Sequence, residues 1–193
     1  MDADLIRPVG QWLRPLRAGA GRLAVNRPWL AGVRDSVALT SPAFATAQPI
    51  PTRYTQDGAG LSPPLRWERL PPGTAALFLL VEDADIPLPV PLVHAIAYDI
   101  DPAREGLAEG ALPVRLRGRA PEGFAMGRNG YGRVGWIPPS PPPGHGRHRY
   151  VFQVFALSAR PQFAWPPGRR FALRAIRPHM LAQGTLFGTY ERP

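Results

Sequence analysis

The 193 residues contain no cysteine, which removes a disulfide framework, thiolate metal ligands and a cysteine nucleophile, and leaves the redox compartment open. No stretch approaches the ~18 apolar residues that a membrane-spanning helix requires. Near the N-terminus Arg7, Arg14, Arg17 and Arg22 interrupt every short apolar stretch, so no secretory signal is expected and the expected location is cytoplasmic. A Gly-x-Ser-x-Gly elbow and a Gly-rich phosphate loop, common carriers of acyl and phosphoryl chemistry, are also missing.

What is there suits one folded domain, since 45% hydrophobic residues in a chain of this length can bury a core. The 26 prolines and 20 glycines cluster between apolar runs, which marks structured loops between strands and not low complexity. The formal charge is +9, carried by arginines spread along the whole chain. A nucleic-acid surface needs such charge gathered on one face, so no nucleic-acid partner is expected.

Residues 1–34 read as a basic amphipathic extension ahead of a main domain at 35–193. In it Leu5, Ile6, Trp12, Leu13, Leu16 and Leu23 recur at roughly helical intervals among arginines. Pro8 and Pro15 limit any helix there to short pieces. Such a segment can make weak contact with a membrane surface. The favoured reading packs its apolar side on the main domain or on a partner subunit in a homodimer.

From Val37 the pattern changes to short apolar runs bounded by turn residues. Val37 to Phe44 carries Pro42 and suits an edge strand, and Leu65-Arg66-Trp67 restarts an extended segment. Ala75 to Val81 and Val93 to Ile100 are nearly continuous aliphatic runs, read as neighbouring strands buried on both faces. Tyr150 to Leu157 is the clearest strand and is read as central. Arg169 to Gln183 has helical spacing at Phe171, Leu173, Ile176, Met180 and Leu181; Pro178 breaks it after about two turns, Gly184 closes it, and Thr185 to Tyr190 forms a last strand. The fold class that follows is mostly β, an antiparallel or mixed sandwich with a few short helices, one of them near the C-terminus.

Four polar elements fall where strands give way to loops: Asp83-Ala84-Asp85-Ile86-Pro87, His94, Gly135-Trp136-Ile137-Pro138-Pro139, and His148-Arg149-Tyr150. Strand ends commonly converge on one mouth of a sheet. Each residue also has a plainer role. Asp83 can cap a turn, a role that suits Asp85 better, and a lone histidine in an apolar run such as His94 is usually a core residue. His148 and Tyr150, two residues apart, share one strand face, and Arg149 takes the other.

The order of these elements resembles the phosphatidylethanolamine-binding protein family, in its bacterial Raf-kinase-inhibitor-like branch. Ser62-Pro63-Pro64-Leu65-Arg66-Trp67 and Pro71-Pro72-Gly73-Thr74 match its upstream region, so the resemblance covers about residues 37 to 190. It implies a phosphatidylethanolamine-binding-protein-like β-sandwich and a shallow site for phosphate, acetate or phospholipid head groups. That site would be lined by Asp83, His94, Gly135, Pro138, His148 and Tyr150. In this reading the imidazoles donate hydrogen bonds, Asp83 orients them, and amides of the Gly-rich loop add donors. Two departures stand out: Ala84 replaces the usual proline, and Leu92 stands where many members have an aromatic residue.

The expected function is reversible binding of a small anion or head group, with no catalytic residue, no metal and no cofactor. Asp83, His94, His145 and His148 lack the regular spacing of a zinc site, and His145 falls in the Pro142-Pro143-Gly144 loop. The rival readings are a regulatory protein that docks to a kinase or protease through surface loops such as Arg115 to Arg119, and a hydrolase or lyase using the same residues.

Overall fold

The computed structural model describes residues 3–116 and 123–193, with backbone alone for 3–6. Part of the Arg115 to Arg119 loop therefore lies outside the described residues.

Among the described residues, a six-stranded sheet runs in the order β1 (Arg34–Asp35), β9 (Met180–Tyr190), β8 (His148–Leu157), β4 (Ala76–Asp83), β5 (Leu92–Ile100) and β7 (Ala125–Met126). A three-stranded sheet runs β2 (Ala38–Thr40), β3 (Leu65–Glu68), β6 (Gly106–Leu107). Pairing is antiparallel except between β1 and β9. The two aliphatic runs pair as β4 and β5, β8 lies inside the sheet, and β2 ends before Pro42 at an edge, as the sequence predicts.

Both faces of the large sheet are buried, and alternation along β4 and β8 sorts their side chains between them. Leu77, Leu79 and Val81, with Phe152 and Val154, face the small sheet and meet Leu39, Leu65 and Trp67. Phe78, Leu80, Phe155 and Leu157 face the other way, against Ala172, Leu173 and Ile176 of α2 (Arg169–Ile176) and against Ala24 and Leu30 of the N-terminal segment. Each fully buried aromatic or aliphatic side chain stabilises the fold by about 1.5–3 kcal/mol.

The C-terminal elements differ from the sequence reading. The helix stops at Ile176, one 3-10 turn spans Arg177–His179, and Met180 to Gln183 are already strand, with Gly184 in its interior opposite Val154. The reason is tertiary. A strand of this length pairs with β8 from Leu157 back to His148, and on its other side Ser36 and Val37 donate to the Gln183 carbonyl. Those bonds outweigh the local helical spacing of residues 180–183.

At the N-terminus α1 (Ala3–Leu13) is longer than the prolines suggest and runs through Pro8, which removes one intrahelical hydrogen bond. Gly10 sits against the Pro143 carbonyl, closer than any side chain would permit. The chain then crosses the ends of β4 and β8, where Ala18 and Gly19 donate to the carbonyls of Ile86 and Ala84. No helix of the described residues is long and apolar enough to cross a membrane.

Candidate functional site

His94 owes its position to an irregularity in β5. Val81 pairs with Ala95 and Glu82 with Val93, so His94 is the extra residue of a bulge, a device that re-aims a side chain. The bulge is clasped by the Gly- and Pro-rich loop: Ile137 N–H donates to the His94 carbonyl at 2.9 Å, and His94 Nδ1–H donates to the Ile137 carbonyl at 2.6 Å. The ring lies edge-on to Tyr150 at 5.1 Å between centroids and 5.9 Å from Trp136.

With Nδ1–H committed, the neutral ring offers only a lone pair at Nε2. Burial, opposed by the charge of Asp83, holds the His94 pKa below the ordinary histidine value, so neutral is the resting form. Nε2 has no hydrogen-bond partner, and neither do the Tyr150 hydroxyl and Trp136 Nε1–H; all three are buried. Burial and the Asp83 charge push Tyr150 well above the usual phenol range, so its hydroxyl keeps its proton. The imidazole's own Nε2 and one polar atom on each of two neighbouring rings are thus orphaned, and each costs about 1–3 kcal/mol while unpaired.

His148 is placed differently from the sequence reading, which has it donating to a ligand. Its Nδ1 lies 2.7 Å from Asp83 Oδ2 and its Nε2 lies 2.7 Å from Nδ1 of His145, so both ring nitrogens are spent inside the protein. His145 Nε2 in turn lies 3.0 Å from the Leu13 carbonyl and 3.2 Å from that of Leu16. A carbonyl can only accept, so Nε2 of His145 carries hydrogen. The other two contacts each hold one more. A carboxylate and two neutral imidazoles supply two hydrogens where three are needed, so the line is complete with one additional proton and no net charge. Burial first, and the neighbouring His148 second, lower the His145 pKa.

Asp83 also accepts the Asp85 amide on Oδ1 at 2.8 Å, capping the turn as well as holding His148. Asp85 does not cap that turn. It takes the Arg149 amide and guanidinium at 2.7–2.8 Å and Arg17 at 3.1 Å. Burial raises the Asp85 pKa, but these bonds outweigh it and hold the carboxyl below its ordinary value. Arg149 faces away from Tyr150 and is spent on this pair, as the alternation along β8 predicts. Ala84, in place of a proline, keeps an N–H that donates to the Arg149 carbonyl at 3.0 Å.

Gly135 and Pro138 complete the set. Gly135 has φ +135° and packs against the Pro113 and Val114 carbonyls, where a side chain has no room; its own carbonyl accepts from Asn129 at 3.1 Å. Pro138, with Trp136 and Ile137, lines a cavity of about 160 Å³ whose rim carries Arg115 and Arg133. The structure therefore brings Asp83, His94, Pro138, His148 and Tyr150 to one end of the sheet, but as a covered cluster and not as an open mouth. Its cover is the N-terminal segment. Arg14 donates to the Gly144 carbonyl at 2.7 Å and Arg17 to that of Arg147 at 2.9 Å. His145, weighed in the sequence only as a metal ligand, and Trp136, quoted there only as part of the Gly- and Pro-rich element, join the cluster through hydrogen-bond-range contact with His148 and ring packing on His94. Among the described residues no group of three His, Asp or Glu side chains is placed to hold a metal.

A sandwich with a bulge-borne histidine beside a buried Asp–His pair and a tyrosine defines a small class of proteins. The family model described as phosphatidylethanolamine-binding protein matches residues 40–191. A UPF0098 protein of Aquifex aeolicus is 36% identical over 176 residues, covering 89% of this chain and 98% of the relative. The crystal structure of a phosphatidylethanolamine-binding protein homologue from Chlamydia trachomatis superposes with TM-score 0.73 at 33% identity, over 82% of this chain and 99% of that one. YbcL of Escherichia coli, described as a new member of the mammalian family, shares the fold with TM-score 0.74 at 24% identity, over 82% of this chain and 99% of its own. The chain belongs to the phosphatidylethanolamine-binding protein family.

Proposed function

We propose that the cluster around His94 binds a small oxyanion, inorganic phosphate or the phosphate of a phospholipid head group, reversibly and without a chemical step. The observation that carries this reading is two partnerless buried groups, the Tyr150 hydroxyl and Trp136 Nε1–H, on rings packed against the His94 imidazole, whose own Nε2 is a third partnerless group. Two of them donate as they stand. The third donates once His94 takes a proton, or accepts from a ligand that brings its own P–OH. Either way the ligand and one proton enter together. The description of the family supports a phosphate-bearing head group as the ligand class.

The sign of the pH dependence follows. A phosphate dianion draws a proton onto His94, so affinity rises as pH falls from 8 to 6. Calorimetry with phosphate and with phosphoethanolamine at about pH 6 and 8, beside a His94→Ala variant, tests this. Binding tighter at the lower pH and lost in the variant is the expected result. No heat with either ligand at either pH overturns the reading.

A further inference from the structure

A second feature lies on the opposite face of the large sheet. Between α2, the Pro28–Leu30 turn and the loop before β5 runs a groove of about 590 Å³, within the range of small-molecule sites. Arg27, Arg169, Arg170, Arg174 and Arg177 line it, and no carboxylate does. Its floor is apolar: Pro28, Trp29, Val90 and Leu173.

The five guanidinium groups are not equivalent. Arg169 is spent, donating to buried Glu82 at 2.5 Å and to the Arg22 carbonyl at 2.8 Å. Arg177 lies over the Trp29 ring, 5.5 Å from its centroid. Arg27, Arg170 and Arg174 have no hydrogen-bond or ion-pair partner among the described residues, and Arg27 is half-buried. Arg170 and Arg174 stand on successive turns of α2, about 6 Å apart along the axis. Like charges gathered in a concave site without a counter-charge repel one another, and the planar guanidinium fork matches phosphate oxygens in pairs.

We propose that this groove is a second anion site, which takes a small phosphate-bearing molecule: its phosphates pair with Arg27, Arg170 and Arg174, and its apolar or aromatic body lies on Trp29, Leu173 and Val90. The site is independent of the His94 cluster, because the six-stranded sheet separates the two.

The test is calorimetric titration of the full chain with ADP, with pyrophosphate, and with dihexanoyl phosphatidic acid below its micellar concentration. It is run on the wild type, His94→Gln, the groove pair Arg170→Ala/Arg174→Ala alone and combined with His94→Gln, and a control pair of equal charge on the small-sheet side, Arg66→Ala/Arg69→Ala. Arg170 and Arg174 are exposed and unpaired, so their replacement should leave the thermal midpoint unchanged. The expected result is saturable binding that persists in His94→Gln and in the control pair, and is weakened at least tenfold by the groove pair in the His94→Gln background, where the His94 cluster no longer contributes. Pyrophosphate, which lacks a body, should bind several-fold more weakly than the better of the other two. Which of those two binds tighter identifies the source as a soluble organophosphate or a lipid. Absence of saturable binding, equal losses in groove and control pairs, or loss in His94→Gln with retention in the groove pair would each overturn the proposal. So would preferential binding of a dodecathymidylate with a steep salt dependence, which would assign the groove to nucleic acid.

Discussion

His145 Nε2 lies 3.0 Å from the carbonyl oxygen of Leu13, 132 residues earlier in the chain, and that contact closes the N-terminal segment over the buried cluster. With His145→Ala, Arg14 and Arg17 keep their own bonds to the 144–147 loop but lose the central one. Trypsin cleavage after Arg17, at fixed pH and temperature, should quicken several-fold in the variant, with cleavage elsewhere unchanged. Equal rates would show that the histidine does not hold the segment.

His94 makes global stability depend on pH. Its pKa is lower in the folded protein than the ordinary value near 6.5, because burial disfavours the charged ring beside His148 and Tyr150 more than Asp83 favours it. The unfolded chain therefore takes up its proton first. The contribution is whole above about pH 6.5 and is lost as pH falls below it towards the folded-state value. Urea midpoints between pH 7.5 and 5 should fall less steeply in His94→Gln than in the wild type.

Glu82, fully buried, accepts from Arg169 at 2.5 Å, Gln153 at 2.7 Å and the Ala24 amide at 3.0 Å, and so fastens α2, β8 and the N-terminal segment together. Glu82→Ala strands all three donors. The expected loss is about 3–5 kcal/mol, read from the urea midpoint, and Glu82→Gln should lose less because its one amide oxygen can still accept from Gln153 and Ala24, leaving only Arg169 facing an –NH2. A loss under 1 kcal/mol for the alanine variant would contradict this account.

The sheet was legible because its signals are local. Ala75 to Val81, Val93 to Ile100 and Tyr150 to Leu157 each carry enough aliphatic and aromatic residues to specify a strand buried on both faces. Met180 to Gln183 read as helix because Phe171 to Leu181 keeps helical spacing, and only the ladder to β8 decides otherwise. The site residues could be named from motif order, but their bonding could not. That His94 occupies a bulge depends on the register of β4 against β5, and that His148 is spent at both nitrogens depends on His145. No spacing within one segment encodes either relationship.

The bonds between residues 14–17 and residues 144–147 span about 130 positions, which gives the protein an order of completion. During synthesis the first helix leaves the ribosome with none of its partners yet made, and closing so long a loop becomes favourable only once β4 and β8 are paired. This segment, made before the sheet, is therefore fully placed only after it. A chain stalled before Gly144 lacks the bonds from Arg14 and Arg17 to that loop and keeps only those of residues 17–19 to residues 84–86.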